Sequence, residues 1–253
     1  MRRAHSLKRI VSALTALVLL LVLPSAGMGG SGGVGMDVSG FSSVTFEGEP
    51  VDGSIFPGYT LTVINIWQRW CGPCWVEMPV FLELYEHYSA TPEADVSLWG
   101  ALYYGDHPEN IQEAVDFVAA NGYCWNHMII CDEFLEVATA GVEGGNLLIP
   151  QTFIVDRYGI VRAQFYGKFE TLDELLPVTE EWLAILNVEY EASRGDTDGD
   201  GAIDSADALL ALRHAMGVTQ LGTNELLRAD MDGDGSVSSA DALLILRAVL
   251  GAE

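Results

Sequence analysis

The sequence is poor in basic residues. Twelve Lys and Arg stand against 36 Asp and Glu in 253 residues, and the formal net charge at pH 7 is −24. Four of the twelve lie within the first nine residues. Nucleic acids are bound through surface patches of Lys and Arg, so this composition argues against nucleic acid as a partner.

The sequence also lacks an apolar run long enough to span a bilayer. Its longest run, residues 10–23, has 14 residues, whereas a membrane helix needs about 20. Basic residues precede this run and small residues follow it, which is typical of a cleavable export signal. We predict a signal peptide over residues 1–27, a secreted protein without a membrane span after cleavage, and a flexible Gly-rich leader over residues 28–43. An uncleaved anchor is the alternative.

Cysteine is scarce, and two of the four cysteines form the motif Trp70-Cys71-Gly72-Pro73-Cys74. An almost continuous apolar segment, residues 61–67, precedes the motif, and apolar residues at helical spacing follow it. Cys71 and Cys74 are therefore predicted at the start of a helix. There the unpaired N–H groups and the helix dipole lower the pKa of a thiol below its usual value of about 8.5.

This placement favours redox chemistry at the two cysteines. A Cys71 thiolate would attack a disulfide, and Cys74 would resolve the mixed disulfide. Half of a zinc site and a structural disulfide are the alternatives. Zinc would need two more ligands, and the sequence has neither a second C-x-x-C nor an H-x-x-x-H motif.

Strands and helices alternate from residue 44 to residue 190. This order predicts an α/β domain of three layers with a mixed sheet. Besides strand 61–67 and the helix over 76–88, the patterns predict strands over residues 96–104, 128–130, 152–155 and 160–166, and helices over residues 110–121 and 172–186.

Two segments carry a resemblance to a known family. The motif and the residues after it, Trp75-Val76-Glu77-Met78-Pro79, resemble the exported TlpA/ResA-like branch of the thioredoxin superfamily, in which x-x-Glu-x-Pro follows the second Cys. Thioredoxin itself has a buried Asp at the position of Asn65, and the Asn also resembles the TlpA/ResA-like branch. Residues 149–156 resemble the cis-proline segment of the family. The resemblance covers about 140 residues and implies a thioredoxin fold.

The resemblance also implies roles for individual residues. Cys71 and Cys74 would be catalytic, and the substrates would be protein thiols and disulfides. Pro150 would be cis and would position the substrate. Glu77, one turn past Cys74, would accept a proton; its alternative interpretation is an exposed helix glutamate.

Two stretches depart from the family pattern. Gln68 and Arg69 replace small residues, which places a cation two residues before Cys71. Arg69 would either lower the pKa of the thiolate further or be a solvated loop residue. Residues 146–148 replace a Gly-containing approach to the cis-proline, so substrate preference is expected to differ.

The other two cysteines, Cys124 and Cys131, allow two interpretations. If the segment between them is extended, they lie on the order of 20 Å apart at 3.3 Å per residue, too far for a disulfide. They form a structural disulfide if the segment turns back, and are otherwise buried thiols.

After residue 191 the sequence repeats itself. Residues 196–217 and 230–251 align with a period of 34 and 14 identities in 22 positions. Each half opens with a loop of the EF-hand type, whose ligands fall at positions 1, 3, 5, 7, 9 and 12 and whose Gly at position 6 permits a sharp turn. We predict two Ca²⁺ ions and no organic cofactor. The predicted ligands are Asp196, Asp198, Asp200, Ala202 (backbone), Asp204 and Asp207, and Asp230, Asp232, Asp234, Ser236 (backbone), Ser238 and Asp241.

A helix follows each loop, over residues 206–216 and 240–250, and none is predicted before the first loop. A duplicated loop–helix unit with Asp at position 12 resembles a type I dockerin, here over residues 193–253. The resemblance implies a small all-α module that folds on calcium and binds a cohesin on a scaffold protein. The residues implied to contact the partner are Ser205, Ala206, Arg213, Ser239, Ala240 and Arg247.

Together these features predict a secreted thiol–disulfide oxidoreductase held by calcium-dependent docking in an extracellular, cellulosome-like assembly that degrades polysaccharide. The alternative is a non-catalytic docking protein with a vestigial redox site. A calcium-stabilised tail without a partner is the alternative for the repeat.

Overall fold

The structure is a computed structural model that describes residues 32–104, 107 and 109–251. The predicted signal peptide lies outside these residues. The strands, in chain order, are β1 (Ser42–Val44), β2 (Pro50–Asp52), β3 (Leu61–Trp67), β4 (Val96–Leu102), β5 (Asn126–Ile129), β6 (Gln151–Asp156) and β7 (Val161–Tyr166). The α-helices are α1 (Gly72–Ser89), α2 (Glu109–Asn121), α3 (Asp132–Thr139), α4 (Leu172–Ser193), α5 (Ser205–Ala215), α6 (Thr223–Ala229) and α7 (Ser239–Leu250).

The redox domain is built on a five-stranded mixed sheet of order β5-β4-β3-β6-β7. Strands β4 and β5 run parallel to β3, whereas β6 is antiparallel to β3 and β7 antiparallel to β6. The central strand β3 is buried over its whole length, as its apolar sequence predicts. Its side chains alternate between two cores: Leu61, Val63 and Trp67 face α1, α2 and α4, and Ile64 and Ile66 face α3. The predicted three-layer thioredoxin fold is confirmed.

Residues 32–43 differ from the predicted flexible leader. The N–H groups of Gly35 and Val38 donate to the carbonyls of Val161 and Gly159, each at 2.8 Å, so this segment runs along β7. Val38 and Phe41 are buried in the core that contains Ile64 and Ile66. The folded domain therefore begins before residue 44. The Gly and Ser content of this stretch conceals the few apolar residues that anchor it.

Two helices were missed and one is longer than predicted. Helix α3 precedes the cis-proline segment, and α6 connects the two calcium loops. Helix α4 continues seven residues past the predicted end, to Ser193. A helix therefore does precede the first loop, contrary to prediction.

The C-terminal module is a small all-α unit, as predicted. Helices α5 and α7 pack through Ala208, Ala211, Ala242 and Ile245, and Leu221 joins this core from the connection between the repeats. Among the residues that the structure describes, no helix has both the length and the apolar character needed to cross a membrane.

Candidate redox site and calcium loops

The two motif cysteines form a disulfide at the N-terminus of α1, with their Cα atoms 5.2 Å apart. Cys71 is the N-cap residue, and the backbone N–H of Cys74 lies 3.2 Å from its Sγ atom. Cys74 is buried, whereas Cys71 is partly exposed. When the disulfide is reduced, the helix N-terminus and the Cys74 N–H favour a thiolate at Cys71. This arrangement suits Cys71 to attack and Cys74 to resolve.

The cis-proline segment lies against the disulfide. The Ile149–Pro150 peptide bond is cis, as the resemblance implies. The carbonyl oxygen of Ile149 is 3.9 Å from the Sγ of Cys71. Pro150 directly precedes β6, the neighbour of the strand that leads into the cysteine motif. The sheet therefore brings together two segments about 80 residues apart in the chain.

Glu77 is buried beneath the site, with 1% of its surface exposed, and is not the exposed glutamate of the alternative interpretation. Asn65 Nδ2 donates to its Oε2 at 2.9 Å, and the Phe169 N–H donates to its Oε1 at 3.0 Å. Burial raises the pKa of Glu77 to about 7, although both hydrogen bonds and the charge of Lys168 oppose the rise. A carboxyl group with a pKa near neutrality can both accept and donate a proton at physiological pH.

Asn65 is a site residue that sequence reasoning used only as a family marker. Besides binding Glu77, its Nδ2 lies 3.3 Å from the Gln151 carbonyl and 3.4 Å from Thr152 Oγ1. Asn65 therefore links the buried carboxylate to β6 just after Pro150. A side-chain amide in the middle of an otherwise apolar strand was the signal that could have identified it.

Apolar side chains around the disulfide face the solvent. Trp70 is 58% exposed and Trp75 is 44% exposed, and Val76 and Leu148 are also exposed. Trp70 and Trp75 are adjacent to the two cysteines in sequence, and Leu148 directly precedes the cis-proline segment. Such a surface beside a reactive group is suited to contact with a polypeptide chain.

The calcium loops gather three carboxylates each. Oxygens of Asp196, Asp198 and Asp207 lie within 4.8 Å of one another, and so do those of their second-loop equivalents, Asp230, Asp232 and Asp241. In the first loop, the N–H groups of Gly199 and Gly201 donate to the two oxygens of Asp196. Hard oxygen donors at this spacing fit Ca²⁺, and these residues would hold it.

The carboxylates of Asp200, Asp204 and Asp234, also predicted as ligands, are not part of these groups. The carboxylates of Asp200 and Asp234 accept hydrogen bonds from the N–H groups of Ala202 and Ser236, two residues on. The position-9 residues, Asp204 and Ser238, act as N-caps: they accept from the N–H groups of Ala206 and Ala240 at the starts of α5 and α7.

All six predicted partner-contact residues are exposed. They form two equivalent sets, one at each repeat, because α5 and α7 follow the duplicated loops. Leu209 and Leu243, one helical turn after Ser205 and Ser239, are also about half exposed. Sequence reasoning assigned these two leucines to no surface; exposure at matched positions of the repeat marks them as candidates for partner contact.

Cys124 and Cys131 are both free thiols. The strand β5 lies between them, and an extended segment keeps the two cysteines apart. Cys131 is half-buried, and burial raises the pKa of its thiol to about 12. Cys124 is exposed, so the expectation of a buried thiol is wrong at that position.

The sheet order, the disulfide at a helix N-terminus and the adjoining cis-proline define a thioredoxin-fold protein with a redox-active pair of cysteines. The sequence model of the Redoxin family matches residues 34–178, more than half of the chain. The chain belongs to the redoxin family. The model of the dockerin type I domain matches residues 194–250, and the chain carries this domain after its redox domain.

The chain is also similar to curated thiol:disulfide interchange proteins. The chain is 26% identical over 106 residues to the probable thiol:disulfide interchange protein DsbE-2 of Pasteurella multocida (strain Pm70), a match that covers 42% of this chain and 47% of the relative. It is 28% identical over 130 residues to the thiol:disulfide interchange protein DsbE of Pseudomonas fluorescens biotype C, covering 51% of this chain and 60% of the relative. The matches thus span about half of each relative.

Solved structures of similar fold include a thioredoxin-family thiol:disulfide interchange protein from Chlorobium tepidum TLS. That structure is 19% identical, with a TM-score of 0.49, and the match covers 59% of this chain and 97% of that one. StoA from Bacillus subtilis is 25% identical, with a TM-score of 0.43, and the match covers 56% of this chain and 94% of that one.

Proposed function

We propose that this protein is a secreted thiol–disulfide oxidoreductase whose dockerin binds, with calcium, to a cohesin on a scaffold protein of a polysaccharide-degrading assembly. The observation that carries the redox half is the Cys71–Cys74 disulfide at the start of α1, with Ile149 and Pro150 against it. The redoxin family and the names of the relatives support the same chemistry.

The reaction is a pair of thiol–disulfide exchanges. In the reducing direction, the Cys71 thiolate attacks one sulfur of a substrate disulfide, so that a mixed disulfide forms and one substrate thiolate leaves. Cys74 then loses its proton and attacks the sulfur of Cys71, which closes the Cys71–Cys74 disulfide and releases the second substrate thiolate. Two electrons pass to the substrate, and an external thiol restores the enzyme. The oxidising direction runs the same steps in reverse.

Glu77 has the position and the proton affinity to serve the second exchange. The Cys74 thiol is buried and must lose a proton before it can attack. Glu77 lies one helical turn further along α1, is itself buried, and has a pKa raised to about 7. It accepts that proton at neutral pH, either directly or through one water. Asn65 and the Phe169 N–H hold its two oxygens in place.

The docking half rests on the duplicated loops and helices. Calcium bound by the three gathered carboxylates of each loop would fix the start of α5 and of α7, since Asp207 and Asp241 belong to the first turns of these helices. The exposed residues Ser205, Ala206 and Arg213, with Ser239, Ala240 and Arg247, then form two equivalent surfaces for a cohesin. The dockerin match supports this partner and the extracellular location.

Replacing Cys71 with Ala tests the redox half without disturbing the docking half. Turnover of a peptide disulfide, driven by dithiothreitol with calcium present, should be abolished, while binding to a cohesin should be unchanged. Cys124→Ala removes an exposed thiol elsewhere in the domain and is the matched control, which should retain turnover. Undiminished turnover in Cys71→Ala would show that the catalytic assignment is wrong and would favour a docking protein with a vestigial redox site.

A further inference from the structure

Arg69 is held in an aromatic box formed by Trp70, Trp75 and Phe117. Its guanidinium carbon lies 5.2 Å, 4.9 Å and 4.7 Å from the centroids of these three rings. Trp75 Nε1 also donates to the Arg69 carbonyl at 2.8 Å, so the backbone is fixed as well. A cation over aromatic faces is attracted by the ring quadrupoles, and the attraction is greater when water is excluded. Arg69 is therefore a fixed cation and not the solvated loop residue of the alternative interpretation.

Two of the three guanidinium nitrogens of this cation make no hydrogen bond within the described residues. The Nε and Nη1 atoms of Arg69 are buried, and neither has a hydrogen-bond partner in the described part of the chain. A buried donor without a partner is unfavourable, because it has lost its bond to water and gained nothing in return. Aromatic faces offset the charge but accept hydrogen bonds only weakly.

The other basic residues of the redox domain all donate to a partner. Arg162 binds Asp156 and Glu189, Lys168 binds Glu170, and Arg157 donates to Thr60 Oγ1. Acidic residues outnumber basic ones three to one in this chain. Carboxylates that could pair with a cation are therefore abundant in the protein itself. Among the Lys and Arg residues of the redox domain, Arg69 is thus the one whose buried N–H groups have no partner in the described part of the chain.

That position is on the surface that a substrate would cover. Arg69 is two residues before Cys71, and its box includes Trp70 and Trp75, the exposed residues next to the two cysteines. Arg69 as a whole is partly exposed, so a polypeptide seated on these rings would bring its own polar groups to the guanidinium. A carboxylate is the group that matches a guanidinium best, because two parallel N–H···O bonds can form.

We propose that Arg69 is a specificity-determining residue of the redox site, which favours polypeptide substrates that carry a carboxylate beside the reacting cysteine. The proposal rests on the redox function proposed above. It places charge recognition and apolar contact on one surface: the tryptophan rings contact the substrate chain, and the cation between them selects the acidic neighbour. A positive charge that only tuned the Cys71 thiolate would instead act equally on every substrate.

The test compares three peptide disulfides that differ only in the residue after Cys, which is Asp, Ser or Lys. The full chain with calcium is assayed for kcat/KM with each peptide, with dithiothreitol as reductant. We expect the wild type to prefer the Asp peptide over the Lys peptide by about tenfold, as one charge-assisted hydrogen bond would give. The ratio should approach one in Arg69→Met and should shrink at high salt. Arg157→Met, which removes a cation bound to Thr60, should keep the wild-type ratio.

Each other outcome is decisive. A wild-type ratio near one, or equal losses for all three peptides in Arg69→Met, would overturn the specificity role while leaving the redox function intact. Absence of turnover with every peptide in the wild type would instead overturn the redox function itself. Should Arg69→Met fail to fold, Arg69→Lys, which keeps the charge but loses the planar fork, must still lower the ratio.

Discussion

Burial of Glu77 predicts a specific dependence of stability on pH. In the folded protein the pKa of Glu77 is about 7, above its ordinary value of 4.5, because burial disfavours the carboxylate. The neutral form is thus the one that folding favours. The stabilisation is fully present below pH 4.5 and is lost as the pH rises through 7. A shift of this size corresponds to about 3 kcal/mol in all, most of which is lost between pH 5 and pH 8.5.

Glu77→Gln isolates this contribution, since glutamine does not titrate. In one orientation the glutamine amide places its N–H₂ group against the Asn65 Nδ2 donor, and in the other it removes the acceptor for the Phe169 N–H. Either loss of a hydrogen bond lowers the free energy of unfolding by an amount that does not change with pH. The measured quantity is the free energy of unfolding in urea, taken for the oxidised protein with saturating calcium. Relative to wild type, the variant should gain about 2 to 3 kcal/mol of unfolding free energy from pH 5 to pH 8.5.

Glu83→Gln changes an exposed carboxylate of the same helix and is the matched control. Its difference from wild type should be flat over the same range. A flat difference for Glu77→Gln as well, within about 0.5 kcal/mol, would refute the reasoning, because a carboxyl that titrates normally in the folded state adds no such slope. In turnover assays, the plot of turnover rate against pH is expected to show an inflection near pH 7 for the wild type. Glu77→Gln should lose this inflection.

Two further predictions concern other parts of the chain. Removing calcium with a chelator should abolish cohesin binding, and the helical circular dichroism signal should fall by the part that residues 194–250 contribute. Dithiothreitol-driven turnover should persist. Loss of turnover at the same time would contradict the independence of the two modules. Gly33→Ala should destabilise the redox domain by about 1–3 kcal/mol, because a Cβ there would lie 2.6 Å from Val137 Cγ1 and 2.8 Å from its carbonyl oxygen. Gly40→Ala, where a Cβ meets no atom within 4 Å, should be nearly neutral in the same denaturation assay.

Local patterns were sufficient for the parts of the protein whose contacts are local. Strand β3 matches its predicted bounds because every residue from Leu61 to Trp67 is buried, and all of them except Thr62 and Asn65 are apolar. In each calcium loop, the three carboxylates at positions 1, 3 and 12 lie together, and their spacing is set within twelve residues of chain. The cis state of Pro150 came from resemblance to a family, not from the pattern of residues around it.

The site residues that were missed or left open depend on contacts between distant segments. Whether Glu77 is buried is decided by Phe169, 92 residues further on, and by Asn65 on β3. The cation–aromatic box of Arg69 needs Phe117 from α2, nearly 50 residues away. No pattern within one helix or strand reports such partners. A polar residue in an apolar strand and a departure from the family motif were the only local signs.

The two largest errors in the fold have one physical cause. Helix α3 is only eight residues long, too short to be stable without tertiary contacts, and residues 32–43 contain too few apolar side chains to predict a folded segment. Each buries the other: the Phe41 ring lies 4.9 Å from the Phe134 ring, and Gly33 donates to Gln164, whose amide donates in turn to the Val137 carbonyl. The same Gln164 amide donates to Gln151, the residue after Pro150. The segment that sequence patterns assign to a leader thus supports the cis-proline side of the redox site.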